Sequence, residues 1–310
     1  MRERERDERE SEQHYQSRLC SKLPKLQMDV SKSVYPLTDS VRAVWKQSIT
    51  TKGSGSWLVT RPSSTTSLKS LSNDAVQLAA AMRAAFNLTS EQPQQRCPLC
   101  KEDLRADDIF HYLTCKQATF TTVHDELKLV MAQIGRDLKL VVAVEPKHIK
   151  SDQDNRRADV AFAYAGTRVI TDISRVNSFA PSNLPVAGRH PGKAVDARDT
   201  QKINYYKRMA ELNRYKFIPC AVDCLGGYGK KGAPKLFDAL RDAADSGGVD
   251  ASLLNAKMRD ARQTFAIAVQ RGNWHLYHNY QVAADMVAVK GRFNRLQGPQ
   301  PGRRGRRQSE

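Results

Sequence analysis

The chain has 310 residues, of which 50 Lys and Arg outweigh 33 Asp and Glu to give a formal net charge of +17. At 40% hydrophobic residues and a mean hydropathy of −0.59 it can bury a core while leaving long solvated segments. No apolar run approaches the roughly 18 residues that span a bilayer, and the opening MRERERDERE is the opposite of a signal peptide, so a soluble intracellular protein is expected.

The charge is uneven. From Arg156 to Lys235 there are 15 basic and 6 acidic residues, and from Lys290 to Glu310 there are 7 and 1. Such a field suits a polyanion, with nucleic acid, DNA or RNA, the leading candidate, and no membrane. Six cysteines, three of them clustered with a histidine, argue against a disulfide scaffold and for metal in a reducing compartment.

In chain order, residues 1–50 begin with alternating Arg and acidic residues and read as a flexible arm. Lys52–Ser72 is rich in Gly, Ser and Thr and reads as a loop with one short strand at Trp57 and Leu58. Ser72 or Asn73 can cap a helix that places Val76, Leu78, Ala79, Met82, Ala85 and Phe86 at near-helical spacing. The run CPLCKEDLRADDIFHYLTC then gives Cys97, Cys100, His111 and Cys115 in the spacing Cys-x2-Cys-x10-His-x3-Cys. The first pair fits a knuckle turn aiming two thiolates at one ion. The second pair shares a helical face, which completes a closed tetrahedral Zn²⁺ site of the structural type.

Thr121–Ile134 predicts an amphipathic helix with Val123, Leu127, Val130, Met131 and Ile134 on one stripe, and His124 reads as a surface or capping residue. Leu138–Val144 predicts a buried strand that delivers Glu145 before Pro146. The stretch RRADVAFAYAGTRVITDIS predicts two strands around a Gly166-Thr167 turn, with Asp159 heading the first and Asp172 near the end of the second. Carboxylates are depleted among β-branched and aromatic strand residues, so the pair is either a divalent-metal site or two solvated strand-end acids.

Ser178–Gly192 reads as a long loop, Ala194–Tyr215 as a helix, and Phe217–Leu225 as one buried strand with Cys220 and Cys224 in the core. The loop GGYGKKGAPK lacks Walker spacing and reads either as a backbone-contacting nucleic-acid loop, through Lys230 and Lys231, or as a flexible surface loop. Two helices, about Ala251–Gln270 and His275–Val289, precede a basic tail rich in Pro and Gly that can add non-specific affinity or direct nuclear import.

In their order, SGSWL, CPLC, HYLTCK, VHDEL, VEP, RRADVAF, ITDIS, QKINYY and FIPCAVDCLGGYG resemble the C-terminal region of reverse transcriptases from non-LTR retrotransposons that carry a restriction-like endonuclease. The resemblance covers about Gly55 to Val289. It implies an α/β restriction-endonuclease-like PD-(D/E)XK core, a mixed sheet flanked by helices, beside a small zinc knuckle. It also implies Asp159 and Asp172 as Mg²⁺ or Mn²⁺ ligands, Glu145 as a third acid, and Lys202 with Tyr206 as the lysine and tyrosine of the following helix. Arg156, Arg157 and Arg175 would join Lys230 and Lys231 on the nucleic acid. Two positions depart from the pattern: Ala158 stands where the family has proline, and Ser174 where ordinary restriction folds place a lysine.

The implied activity is a nick in target DNA in the nucleus. No Tyr-x-Asp-Asp polymerase motif occurs, so a reverse transcriptase supplied by another chain is an expected partner. The expected organisation is an arm (1–50), a loop and helix (51–95), the knuckle (96–118), the nuclease core (119–246), C-terminal helices (247–290) and a basic tail (291–310). A zinc-containing nucleic-acid-binding protein with a degenerate nuclease, and a partner-docking zinc module, are the alternatives.

Overall fold

A computed structural model describes residues 39–59, 71–83, 96–104, 110–149, 157–164 and 166–296. The strands β1 (Val141–Val144), β2 (Val160–Tyr164), β3 (Thr167–Thr171) and β5 (Lys216–Phe217) form a mixed sheet in the order β1-β2-β3-β5. The first three are antiparallel neighbours, and β5 runs parallel to β3. A parallel pair, β4 (Ile173–Val176) and β6 (Cys220–Asp223), prolongs β3 and β5 in the same register. Ile218 N–H donates to Ile170 O and Cys220 N–H to Asp172 O, each at 3.0 Å, so backbone pairing spans the interruption at Asp172.

Period-two alternation buries both faces of this sheet. Val160, Phe162 and Val169 enter the main core, which also holds Leu127 and Met131 of α3 (Phe120–Asp137) and Phe265 of α7 (Ala251–Leu296). Ala161 and Ile170 point the other way, into a smaller core with Tyr206, Met209 and Ala210 of α5 (Lys193–Leu212). The protein is thus α/β, with helices on both sides of a mixed sheet. Helix α6 (Ala233–Ser246) joins the main core through Leu236, Phe237 and Leu240. No helix among the described residues is long and apolar enough to cross a membrane.

Several expectations change. The second strand of the hairpin is broken at Asp172, because β2 ends there as a partner while β6 takes up β4. Phe217–Leu225 is likewise two strands in two pairings. The C-terminal helices are one helix of 46 residues. Its Gly272 is tolerated because Val123 of α3 packs against it, leaving 2.4 Å to an added Cβ, so this helix belongs to the body and is no appendage.

Part of the supposed arm is helix α1 (Asp39–Thr50), with Val44 and Trp45 fully buried and Trp45 Nε1 donating to Arg83 O at 3.1 Å. Trp57 lies in a 3-10 turn (Ser56–Val59), not a strand. Helix α2 (Asn73–Arg83) is capped as expected, Ser72 Oγ accepting from Ala75 N–H at 3.2 Å. A short helix α4 (Leu184–Ala187) interrupts the long loop. Ala85, Phe86, residues 1–38 and the tail from 297 lie outside the described residues.

The loop after β6 closes over α5. Gly232 sits where an added Cβ would lie 2.3 Å from Asp199 Oδ2, so only glycine fits. Asp199 is fully buried, accepts from Ala221 N–H at 3.1 Å, and its carboxyl is pushed up to about 7 by burial. The native state therefore keeps this proton across a range where the unfolded chain, with an Asp pKa of about 3.9, has lost it. Its contribution to stability falls as pH rises through that range and levels off above about 7. Asp199→Asn is expected to melt close to wild type at acid pH and to gain on it by pH 8, measured by thermal unfolding across that range.

Candidate metal centre and carboxylate site

The four ligand atoms of Cys97, Cys100, His111 and Cys115 lie within 4.8 Å of one another. Cys97 Sγ and Cys115 Sγ are 3.7 Å apart, and two thiolates about 2.3 Å from a tetrahedral ion would sit about 3.8 Å apart. Cys100 Sγ is 3.3 Å from His111 Nε2, near the corresponding sulfur–nitrogen edge. The turn is built for this. Lys101 adopts a left-handed φ of 64°, Cys100 N–H points at Cys97 Sγ at 3.4 Å, and Cys97 N–H donates to Glu102 O at 2.8 Å. A 3-10 turn (His111–Leu113) brings His111 and Cys115 round to the same point. The cluster can hold a metal such as zinc.

Across the sheet, strand register sets three acids in one row. Val144 pairs with Val160 and Val160 with Thr171, so Glu145, Asp159 and Asp172 occupy successive positions on neighbouring strands. Asp159 and Asp172 are both buried, at 9% and 6% exposure, Asp159 reaching toward α3 and Asp172 toward α5. Asp159 Oδ2 accepts the Ile173 N–H at 2.6 Å, where β2 no longer supplies a carbonyl. Asp172 meets α5: Lys202 Nζ is 2.6 Å from Oδ1, and Tyr206 OH donates to Oδ2 at 2.7 Å. Lys202 and Tyr206 are one helical turn apart and so share a face. Burial, and then the Asp172 charge, raise the Tyr206 hydroxyl far above its ordinary value, so it stays a protonated donor. Ser174, in the place of the expected lysine, only bonds Asp172 Oδ1 at 3.3 Å.

Helix α3 supplies what sequence reading assigned to the surface. His124 Nε2 lies 3.1 Å from Asp159 Oδ1, and that bond raises the imidazole above its usual range. One turn later, Lys128 Nζ reaches Glu145 Oε1 at 2.5 Å and Asp125 Oδ1 at 2.7 Å. Glu145 departs from the expectation. Its φ of 46° is left-handed, its side chain is half exposed, and it leaves the row for Lys128. Among the described residues the three acids do not gather into a cluster of ligand atoms within 4.8 Å. Both carboxylates of the Asp159–Asp172 pair do act on His124 and on Tyr206, which places them in one electrostatic neighbourhood.

A cleft of about 620 Å³ is lined by neighbours of both centres and by none of the cysteines or acids themselves. Leu113 and Thr114 of the knuckle form one wall, Phe120 and His124 of α3 a second, and Ser174 and Lys202 the floor beside Asp172. Arg198, exposed on α5, stands at its rim.

Arg175 is half-buried and lines the cleft, its Nη2 donating to Asn273 Oδ1 of α7, and burial depresses the guanidinium. The amides of Lys230 and Lys231 are taken by Asp196 Oδ1, at 2.6 and 3.2 Å, so that backbone is not open to a phosphate. Lys231 Nζ bonds Thr200 Oγ1 at 2.9 Å, while both lysines remain on the surface. Arg157 is exposed, and its carbonyl accepts from Tyr206 OH at 3.0 Å; Arg156 lies outside the described residues. Compared with known proteins, the chain matches no family model and no curated sequence.

Proposed function

We propose that the chain is a metal-dependent DNA endonuclease of the restriction-like kind carried by non-LTR retrotransposons, with a structural zinc knuckle beside its cleft. The observation that carries this reading is the ion pair between Lys202 Nζ and Asp172 Oδ1 at 2.6 Å, next to Asp159 in the adjacent register position. A lysine from a helix thus stands where the strand offers only Ser174. The mixed sheet with acids at its strand ends, covered by helices on both faces, accords with that kind of core.

Asp159 and Asp172 are the hard oxygen ligands for Mg²⁺ or Mn²⁺, which when bound would hold a phosphate oxygen and acidify a water. Glu145 stands apart from this pair, on Lys128. Tyr206 fixes one oxygen of Asp172, and His124 with the Ile173 amide fixes both of Asp159. Once its carboxylate is shared with a cation, Lys202 is free to face the phosphate and offset the charge that develops on it. Arg157, Arg198, Lys230 and Lys231 are the exposed cations that would hold the DNA backbone. In this reading the protein works in the nucleus, nicking target DNA for a reverse transcriptase carried by another chain.

A second reading has its own support. Both carboxylates are already satisfied by protein partners, as in a site that binds nucleic acid without cutting it. Supercoiled plasmid separates the two. The nuclease converts it to nicked circle with Mg²⁺ or Mn²⁺ and not with a chelator, whereas the binding protein only retards it, with strong dependence on salt.

A further inference from the structure

Past Ala284, α7 is exposed as far as its side chains are described: Ala284 is the last buried residue up to 290, and every position from 285 to 290 is exposed all round the helix. That segment is not polar, since Val282, Met286 and Val289 are 42%, 64% and 65% exposed. Their spacing of four and then three residues is that of one apolar seam, and the sequence repeats the same spacing at Phe293 and Leu296, which gives two heptads by pattern. Val287 is exposed as well but falls on the opposite side, in line with Leu276 and Tyr280. At 3.6 residues per turn the seam falls on the side of the helix opposite Leu276, Tyr277, Tyr280 and Ala284, which pack toward the body. It is therefore not an unfinished edge of the core. An isolated helical end of about a dozen residues, interrupted by Gly291, has little stability of its own in water.

We propose that this seam pairs with the same seam of a second copy of the chain, as a short parallel coiled coil over residues 282–296. Charge selects that occupant and that direction. With Val282 and Val289 at d and Met286 at a, Asp285 falls at g and Lys290 at e. In a parallel pair, g of one helix faces e of the next heptad on the other, so symmetry places Asp285 against Lys290 twice. Both are exposed in the single chain. Because the seam faces away from the body, the two bodies come to lie on the outer sides of the pair.

Two heptads support weak association, with dissociation on the order of 10–100 µM. Light scattering of the full chain across that range is expected to show mass rising from monomer to dimer. Val289→Glu places a charge in the seam and should hold the chain monomeric throughout. Asp285→Lys and Lys290→Asp should each weaken the dimer about tenfold through like charges. An equimolar mixture of these two variants, or the double variant, should restore it. All three positions are exposed, so the fold of the body is not at stake. A monomer at every concentration would overturn the proposal. So would a dimer indifferent to Val289→Glu, or charge variants that the swap does not rescue.

Discussion

Replacing Cys115 by serine is expected to strip the protein of zinc and unfold far more than the knuckle. Cys97 and Cys115 are buried members of the main core, along with Phe110, Tyr112 and Leu113 between them. Tyr112 packs on Tyr277 and Tyr280 of α7 at ring distances of 5.3 and 6.2 Å, and Phe110 on Phe179 at 4.8 Å. Metal energy is thus coupled to the packing of the longest helix. Structural zinc contributes on the order of 10 kcal/mol to small sites, against a native stability of about 5–15 kcal/mol. Wild-type protein should carry about one zinc per chain by elemental analysis. The variant should carry none and melt at least about 10 °C lower, with a strong chelator reproducing the shift in the wild type. Equal melting with and without metal would mean that the four side chains hold together as a plain core.

Lys202→Met has the second large effect, and two readouts identify it. Nicking should fall about 10²–10⁴-fold, the range for losing a group that stabilises transition-state charge, while DNA binding changes little. The same substitution leaves Asp172, 8% exposed at its side chain, without its counter-ion, which lowers stability. A divalent cation no longer competes with a lysine there. Mg²⁺ should therefore raise the melting temperature of the variant more than that of the wild type. A merely structural lysine would predict loss of stability without that gain in metal response. Tyr206→Phe keeps the stacking on Phe217, at 4.7 Å between ring centres, and removes the hydroxyl's bonds to Asp172 and to the Arg157 carbonyl while leaving Lys202 in place, so a smaller loss of rate is expected.

What could be read in advance follows from how local each feature is. The Cys97, Cys100, His111 and Cys115 cluster sits at two short spacings whose geometry is set by one turn each, so it is legible whole in the sequence. Asp159 and Asp172 were legible because hairpin pairing around Gly166 puts them opposite each other. Lys202 and Tyr206 came only through resemblance, as nothing in their own helix marks them. His124 was passed over because its partner lies 35 residues on, and only the packing of α3 against the start of β2 joins them. The available signal is the His124–Lys128 spacing of four, which faces the neighbouring acids Asp159 and Glu145 with one basic side chain each. Glu145 was misplaced because a left-handed φ at a non-glycine residue is invisible to strand periodicity. The bond from Arg175 to Asn273 joins residues 98 apart, and alternation does not reveal it, since Ile173 and Val176 on opposite faces of the strand both enter the main core.

The central claim is that Asp159 and Asp172 form a cleavage site and not a buried ion-pair network. Single-turnover nicking of saturated plasmid by wild type and by Asp172→Asn, with Mg²⁺, tests it most directly. Asparagine keeps the shape and an acceptor for Tyr206 while removing the charge that holds both Lys202 and a cation. The wild type should nick, and the variant should bind the same DNA but cut at least about 10³-fold more slowly. Equal rates, or a wild type that binds DNA and leaves it intact with either Mg²⁺ or Mn²⁺, would contradict it.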